Sequence, residues 1–86
     1  MAEDRYPLHV VVYTEPGSVA CEQVKQFLKA RKIDFDEKDI LQDLSAVREL
    51  RNLGHMIVPV TRVGTDVIVG FDREALEAHF GPAPSP

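Results

Sequence analysis

The sequence predicts an α/β domain in which a mixed four-stranded sheet carries three helices on its two faces. Three observations support this fold class. A β-branched run near the start leads into a segment whose apolar residues have helical spacing, and a weaker strand and a second helical segment follow. Two short β-rich runs around a turn then precede a last helical segment. The order β-α-β-α-β-β-α requires a parallel, right-handed βαβ unit at the start and an antiparallel hairpin at the end.

The first strand and the first helix have the clearest patterns. Residues 8–13 form an almost unbroken apolar and β-branched run, which is typical of a strand covered on both faces. Residues 14–17 interrupt this run, and Ser18 stands where a helix N-cap is expected. A helix is predicted from Val19 to Arg31, because apolar residues recur there at helical spacing. These residues are Ala20, Val24, Phe27 and Leu28.

The middle of the chain has weaker patterns. Residues 33–40 alternate imperfectly between apolar and acidic side chains, which predicts a second strand with one exposed flank. Residues 43–53 carry an apolar side chain at every third position and predict a second amphipathic helix that stops at Gly54. The apolar residues of this helix are Leu44, Val47, Leu50 and Leu53.

The last third of the chain predicts a hairpin and a helix. Residues 56–63 and 67–69 are β-rich, and residues 64–66 supply the turn between them. Asp72 is a suitable N-cap for a last helix, which residues 81–82 terminate. Its inward-facing residues are expected to be Ala75, Leu76 and Phe80.

Length and hydrophobic content indicate one domain. The chain has 86 residues, of which 44% are hydrophobic, and a chain of this size buries only about 60% of its unfolded surface. We therefore predict a single domain over residues 1–86, with its core at about 7–80 and a disordered tail at 81–86.

Charge and cysteine content exclude several classes of function. The net charge is −4 with acids and bases mixed along the chain, which argues against the basic stripe of a nucleic-acid-binding protein. No apolar run approaches the roughly 20 residues of a membrane span, and residues 1–5 do not resemble a signal peptide. Cys21 is the only cysteine, so no internal disulfide forms. The three histidines have no metal-ligand spacing. We expect a cytoplasmic monomer without metal, nucleic acid or membrane.

Several segments resemble, in their order and spacing, those of one known family. Residues 10–17 resemble its first strand and the approach to its active-site loop, and residues 21–28 and 35–40 resemble its first helix and second strand. Residues 57–60, Ile-Val-Pro-Val, resemble its T-V-P motif, and residues 69–72, Val-Gly-Phe-Asp, the segment before its last helix. This family comprises the glutaredoxins and the related NrdH-redoxins, which are thiol–disulfide oxidoreductases. The resemblance covers nearly the whole chain and implies a thioredoxin fold.

The resemblance assigns the catalytic motif to residues 18–21. The family carries C-x-x-C there, whereas this chain reads Ser-Val-Ala-Cys. Ser18 therefore stands in the place of the attacking cysteine, and Cys21 in the place of the resolving cysteine. A serine hydroxyl is scarcely ionised at neutral pH and forms no disulfide, so the chain as written is expected to be inactive in dithiol exchange. The iron–sulfur cluster of some glutaredoxins uses the first cysteine and would be lost, and we expect no cofactor.

Two explanations of Ser18 remain open. In the first, Ser18 replaces by design a cysteine of the natural protein, which is then an ordinary dithiol redoxin. In the second, Ser18 is native, and the domain has a binding or regulatory role or uses single-thiol chemistry at Cys21. The surrounding redoxin-like segments favour the first explanation. For Cys21 in the chain as written, a small core residue is favoured over a slow thiol.

The resemblance also implies a substrate site around the motif. The Val58–Pro59 bond is expected to be cis, with the Val58 backbone turned toward an extended substrate. The segment before the last helix would hold the carboxylate end of glutathione, but Val69 and Glu15 depart from the usual residues and predict weak glutathione binding. The expected site comprises Tyr13, Val58, Pro59, Gly70, Phe71 and Asp72. Tyr13 is better explained as an ordinary strand aromatic.

The implied activity is the reduction of disulfides in protein partners or low-molecular-weight thiols. Glutathione, as a co-substrate, or thioredoxin reductase would supply the electrons, and the Gly70-Phe71 pair slightly favours the NrdH-redoxin type. A thioredoxin-fold arsenate reductase or transcriptional regulator is a third class with less support. Such proteins are usually longer and carry an arginine-bearing insertion that this sequence lacks.

Overall fold

The computed structural model describes residues 9–82, and it contains the elements in the predicted order. They are β1 (Val10–Thr14), α1 (Val19–Ala30), β2 (Asp36–Asp39), α2 (Leu44–Asn52), β3 (Val60–Val63), β4 (Asp66–Val69) and α3 (Arg73–Phe80). The sheet order is β2-β1-β3-β4. β1 is parallel to β2 and antiparallel to β3, which is antiparallel to β4. The predicted α/β class with a mixed four-stranded sheet and three helices is confirmed.

β1 is the centre of the fold, because every one of its five residues is buried. Val10 and Val12 belong to a core cluster with residues of α1 and α3, whereas Val11 and Tyr13 belong to a second cluster with residues of α2. Alternate residues of a strand point to opposite faces of a sheet. The unbroken apolar run of β1 therefore supplies both layers of the core.

Two strands are shorter than the sequence pattern predicted. β2 covers only Asp36–Asp39 of the predicted residues 33–40, because these four residues pair with β1. β3 begins at Val60, directly after Pro59, which has no N–H to donate to a neighbouring strand. The predicted start of β1 at residue 8 and most of the predicted tail lie outside the described residues.

The three-residue pattern of α2 predicts its buried face only in part. Leu44 is 66% exposed, while Ala46 and Leu50 are buried. A three-residue spacing drifts around a helix by about 60° per step, so the first and last members of the series cannot face one core. Ala46 and Leu50 are four residues apart and share one face. None of the helices within residues 9–82 is long and apolar enough to cross a membrane.

A polar cluster lies between β1, β2 and α2. Tyr13 is fully buried, and its hydroxyl donates to Glu49 Oε1 at 2.8 Å. Lys38 Nζ lies 2.9 Å from both oxygens of the same carboxylate. Hydrogen bonds from Lys38 and then from Tyr13 lower the pKa of Glu49, and the bond to Glu49 raises the pKa of Lys38. This cluster links α2 to the two strands below it.

Arg31 connects the C-terminal ends of α1 and α3. Its side chain is 6% exposed, and its guanidinium carbon lies 3.4 Å from the centroid of the Phe27 ring. Nε donates to the Gly81 carbonyl at 3.0 Å, and Nη1 donates to the Phe27 carbonyl at 3.1 Å. Nη2 lies 3.9 Å from the Glu77 carboxylate. One planar cation thus holds two helix ends together.

We expect Glu49→Gln to remove an acid-sensitive part of the stability. The pKa of Glu49 is lower in the folded chain than in the unfolded one, so its contribution is present above the ordinary glutamate value of about 4.3 and is lost as pH falls through the lower folded value. The free energy of unfolding at neutral pH should fall by about 1 kcal/mol. Urea unfolding at neutral and acidic pH measures both effects. Asp34→Asn, at an exposed loop carboxylate, is the control, and equal acid sensitivity of Glu49→Gln and the wild type would contradict the expectation.

We also expect Arg31→Lys to destabilise the chain although it preserves the charge. An ammonium group cannot reproduce the planar fork that reaches two carbonyls and stacks on Phe27. The free energy of unfolding should fall by about 1–2 kcal/mol. Arg73→Lys, at a site that is 60% exposed, should change it by less than about 0.5 kcal/mol. Equal urea midpoints for the two variants would show that the guanidinium geometry of Arg31 is not important.

Candidate active site

The predicted site residues lie at one end of the sheet. β1, β2 and β4 run in the same direction, and β3 runs against them. Thr14 pairs with Asp39, and Val60 pairs with both Tyr13 and Val69, so these residues mark a common end. We call it the site end. α1 and α3 both start there, since their C-terminal ends meet at the opposite end of the molecule.

Ser18 begins α1 at the site end and retains a structural role. Its backbone is extended, with φ −88° and ψ 121°, and its Oγ accepts a hydrogen bond from the backbone N–H of Cys21 at 3.2 Å. Its carbonyl accepts from the N–H of Glu22 at 3.2 Å. Serine is a strong N-cap residue, and the start of a helix carries a partial positive charge. The side chain at position 18 is thus held where a negative charge would be stabilised.

Cys21 lies in the first turn of α1 and is almost completely enclosed. Its side chain is 1% exposed and its thiol is free. Such enclosure suits a small core residue and shields the sulfur from reagents in solution. Ser18, by contrast, is partly exposed. The two ends of the motif therefore differ in accessibility.

Pro59 and Gly70 are directly connected at the site end. The Val58–Pro59 peptide bond is cis, and Pro59 is fully buried while Val58 is half-buried. The N–H of Gly70 donates to the Pro59 carbonyl at 2.7 Å, and Gly70 has a positive φ of 74°. This N–H is occupied, so it is not free to bind a substrate carboxylate.

The remaining predicted residues have partners within the fold. Phe71 packs edge-to-face on Phe27, with ring centroids 6.4 Å apart and planes at 71°. Asp72 caps α3 by accepting from the N–H of Ala75 at 3.1 Å. Tyr13 is buried on the α2 side of the sheet, as expected of an ordinary strand aromatic, and does not reach the surface of the site.

A charged network next to residues 18–21 was not predicted from the sequence. Glu37 Oε2 accepts from Thr14 Oγ1 at 2.9 Å and from Lys25 Nζ at 3.0 Å, and Lys25 Nζ also lies 2.8 Å from Glu22. Burial acts to raise the pKa of Glu37, but the bonds from Lys25 and Thr14 outweigh it and the pKa is lowered. Hydrogen bonds to Glu22 and Glu37 raise the pKa of Lys25. The network ties β1 and β2 to α1 one turn beyond Cys21.

The pattern of β2 predicted a strand with one exposed flank, and the Glu37 side chain is 40% exposed, but its bonds to Thr14 and Lys25 were not predicted. Its partner in the sheet register is Val12, whose side chain faces α1, so Glu37 faces α1 as well. The three-residue spacing of Glu22 and Lys25 is the signal that could have indicated a charge network here. Within residues 9–82, no three His, Cys, Asp or Glu side chains are grouped to hold a metal ion.

Comparisons with known proteins agree with this architecture. The Glutaredoxin family model matches residues 10–68. The gene 56 protein of Mycobacterium phage L5 is 39% identical over 70 residues, covering 79% of this chain and 68% of that protein. A glutaredoxin-like 8.6 kDa protein of the Clostridium pasteurianum rubredoxin operon, itself uncharacterized, is 29% identical over 69 residues, covering 79% of this chain and 92% of that protein.

A solved structure supports the same fold. The Escherichia coli NrdH-redoxin, described as a glutaredoxin-like protein with a thioredoxin-like activity profile, superimposes with a TM-score of 0.76 at 26% identity. The match covers 88% of this chain and 99% of that one. The predicted thioredoxin fold is confirmed, and with a family model that spans more than half of the sequence, the chain belongs to the glutaredoxin family.

Proposed function

We propose that this domain is a thiol–disulfide oxidoreductase of the glutaredoxin type, present here in a form that lacks the attacking cysteine. The observation that carries the proposal is the placement of Ser18. It caps α1 at the site end, is partly exposed, and precedes the enclosed Cys21 by three residues. An accessible attacking group followed by a shielded resolving thiol is the arrangement that two-step disulfide exchange requires.

The chemistry requires sulfur at both positions. A thiolate at position 18 would attack a substrate disulfide, form a mixed disulfide and release the first substrate thiolate. The Cys21 thiolate would then attack the position-18 sulfur and release the second substrate thiolate. The substrate gains two electrons, and the domain is left with an intramolecular disulfide that glutathione or thioredoxin reductase reduces. The Ser18 hydroxyl cannot carry out the first step, so the chain as it stands is inactive in this reaction.

The geometry favours protein disulfides over glutathione as the partner. The N–H of Gly70 is already bonded to the Pro59 carbonyl, and the acidic Glu15 stands in the exposed loop before Ser18. Both features weaken a site for the carboxylates of glutathione. Thioredoxin reductase is accordingly the preferred electron donor. A reducing compartment such as the cytoplasm, a monomeric state and the absence of a bound cofactor complete the proposal.

A second candidate function is a binding or regulatory module, if Ser18 is native. One observation favours it: the serine satisfies the start of α1 through its bond to the N–H of Cys21. The surface at the site end is therefore retained although the chemistry is lost.

We expect Ser18→Cys to acquire dithiol reductase activity, because a helix N-terminus lowers a cysteine pKa and favours the thiolate. Reduction of insulin disulfides should rise from background by at least about a hundredfold, since nucleophilic catalysis is created and not merely tuned. The assay is run once with thioredoxin reductase and once with glutathione and glutathione reductase. Ser18→Ala should stay inactive, and Ser18→Cys combined with Cys21→Ser should stop at the mixed disulfide. If Ser18→Cys is inert with both donors while the original chain binds a partner, the binding module is the correct assignment.

We expect Cys21 to react slowly with thiol reagents, because its side chain is 1% exposed and modification requires a local opening. Labelling of the native chain by a disulfide reagent should be at least about a hundredfold slower than labelling in denaturant at the same pH. Rates measured between pH 6 and 9 provide the test. Fast labelling that persists at the acidic end of this range would instead indicate an activated thiolate and surviving single-thiol chemistry.

A further inference from the structure

The large exposed apolar side chains of the described residues gather at the site end. Val19 begins α1, Leu41 lies between β2 and α2, and Leu44 begins α2. Residues 56–57 precede β3, and Val69 ends β4. Each of these positions adjoins the same end of the sheet. Five of the side chains are 62–74% exposed, and the sixth, Val69, is 37% exposed. The six residues, which we call the apolar patch, are Val19, Leu41, Leu44, Met56, Ile57 and Val69.

The placement of all six side chains at one end of the sheet favours a contact surface there. Single exposed apolar side chains are common on soluble proteins, whereas contiguous groups with a polar rim mark places where another molecule docks. Leu41 and Leu44 extend the patch away from the Ser18 motif to the start of α2. Disulfide exchange at residues 18–21 does not need them there, so a larger partner than a small thiol accounts for them better.

Acidic side chains outnumber basic ones in the segments at the site end. The segments that end strands or begin helices at the site end are residues 15–22, 39–47, 54–59 and 69–76. These segments contain six carboxylates and two basic side chains, Arg73 and His55. The six, which we call the acidic rim, are Glu15, Glu22, Asp39, Asp43, Asp72 and Glu74.

The excess of negative charge persists after local pairs and caps are set aside. Glu22 is paired with Lys25 at 2.8 Å, and the Arg73 side chain is paired with Glu77 at 3.0 Å. Asp43 and Asp72 cap helices, whose dipoles offset their charge. Within the described residues, the three remaining carboxylates form no ion pair with a cation. They are Glu15, Asp39 and Glu74.

We propose that the site end binds a protein segment in which apolar side chains are flanked by lysine or arginine. The proposal rests on the proposed function and specifies its substrate class. Apolar side chains would cover the patch, and the flanking cations would meet the acidic rim, which favours the encounter and the orientation of the segment. A second copy of this chain would present the same negative rim and be repelled. Anionic small thiols such as glutathione would be repelled for the same reason.

Binding is tested on the chain as it stands with two capped, thiol-free peptides. Both carry the same three central apolar residues, flanked on each side by two lysines in one peptide and by two glutamates in the other. Amide chemical shifts are recorded during titration. We expect the shifts to map to Val19, residues 41–44 and Ile57, and the basic peptide to bind at least about tenfold more tightly at low salt. The difference should shrink at about 1 M salt, where the screening length falls to about 3 Å.

Variants separate the two parts of the surface. Leu41→Ser with Leu44→Ser should weaken the basic peptide about tenfold, because two exposed apolar contacts are lost. Glu15→Lys with Glu74→Lys should remove the preference for the basic peptide. Asp34→Lys with Asp66→Lys makes the same charge change at the opposite end of the sheet and should leave the preference intact.

Several outcomes would overturn the inference. They are equal binding of both peptides, shifts that map away from the apolar patch, loss of preference in the Asp34→Lys/Asp66→Lys control, or self-association of the chain through the site end. Peptide binding does not depend on catalysis, so failure of the docking surface can be distinguished from failure of the proposed oxidoreductase function. An active Ser18→Cys variant without peptide preference would reject the docking surface alone. An inert Ser18→Cys variant with retained peptide preference would reject the oxidoreductase assignment and leave the surface in place.

Discussion

Burial of β1 on both faces is the constraint on which the rest of this structure depends. All five residues of the strand are enclosed, and neighbouring residues belong to different core clusters. A strand in this position cannot slip by one residue without exchanging its two faces. The register to β2 and β3 is therefore strongly specified, and it places the end of β1 beside Pro59, which directly precedes β3. Because the loop that carries Ser18 follows β1 directly, this register also fixes the position of the loop.

The parts of the fold that were predictable from sequence are those set by local chemistry. The β-branched run of β1 and the three cap residues Ser18, Asp43 and Asp72 occupy the places that their side chains favour. The parts that were missed depend on partners distant in the sequence. In the sequence, Glu37 cannot be distinguished from the other acids of β2. Only its pairing with Val12 in the sheet shows that its side chain lies on the α1 side. The buried face of α2 likewise depends on how the helix lies on β1, which its own spacing does not reveal.

The candidate site is structurally ordered with serine at position 18. Ser18 provides the hydrogen bond that the start of α1 needs, and the cysteine three residues later remains packed in the core. The hydrogen bond from the N–H of Gly70 to the Pro59 carbonyl joins the end of β4 to the start of β3. This bond does not depend on Ser18 or Cys21. Structural order at this end of the sheet comes from caps and backbone hydrogen bonds, whereas the proposed dithiol exchange would need a sulfur atom at position 18 in addition to that of Cys21. The sequence motif indicated the chemistry of position 18, but the accessibility of its two ends became evident only in three dimensions.

The Arg31 contact has a practical consequence for attachment to other molecules. By holding Gly81 against the end of α1, it fixes the C-terminal end of α3 at the end of the sheet opposite the apolar patch. A fusion protein, an immobilisation handle or a spectroscopic label joined on that side would stand at the opposite pole of the domain. The face that meets partners would then remain oriented toward solution.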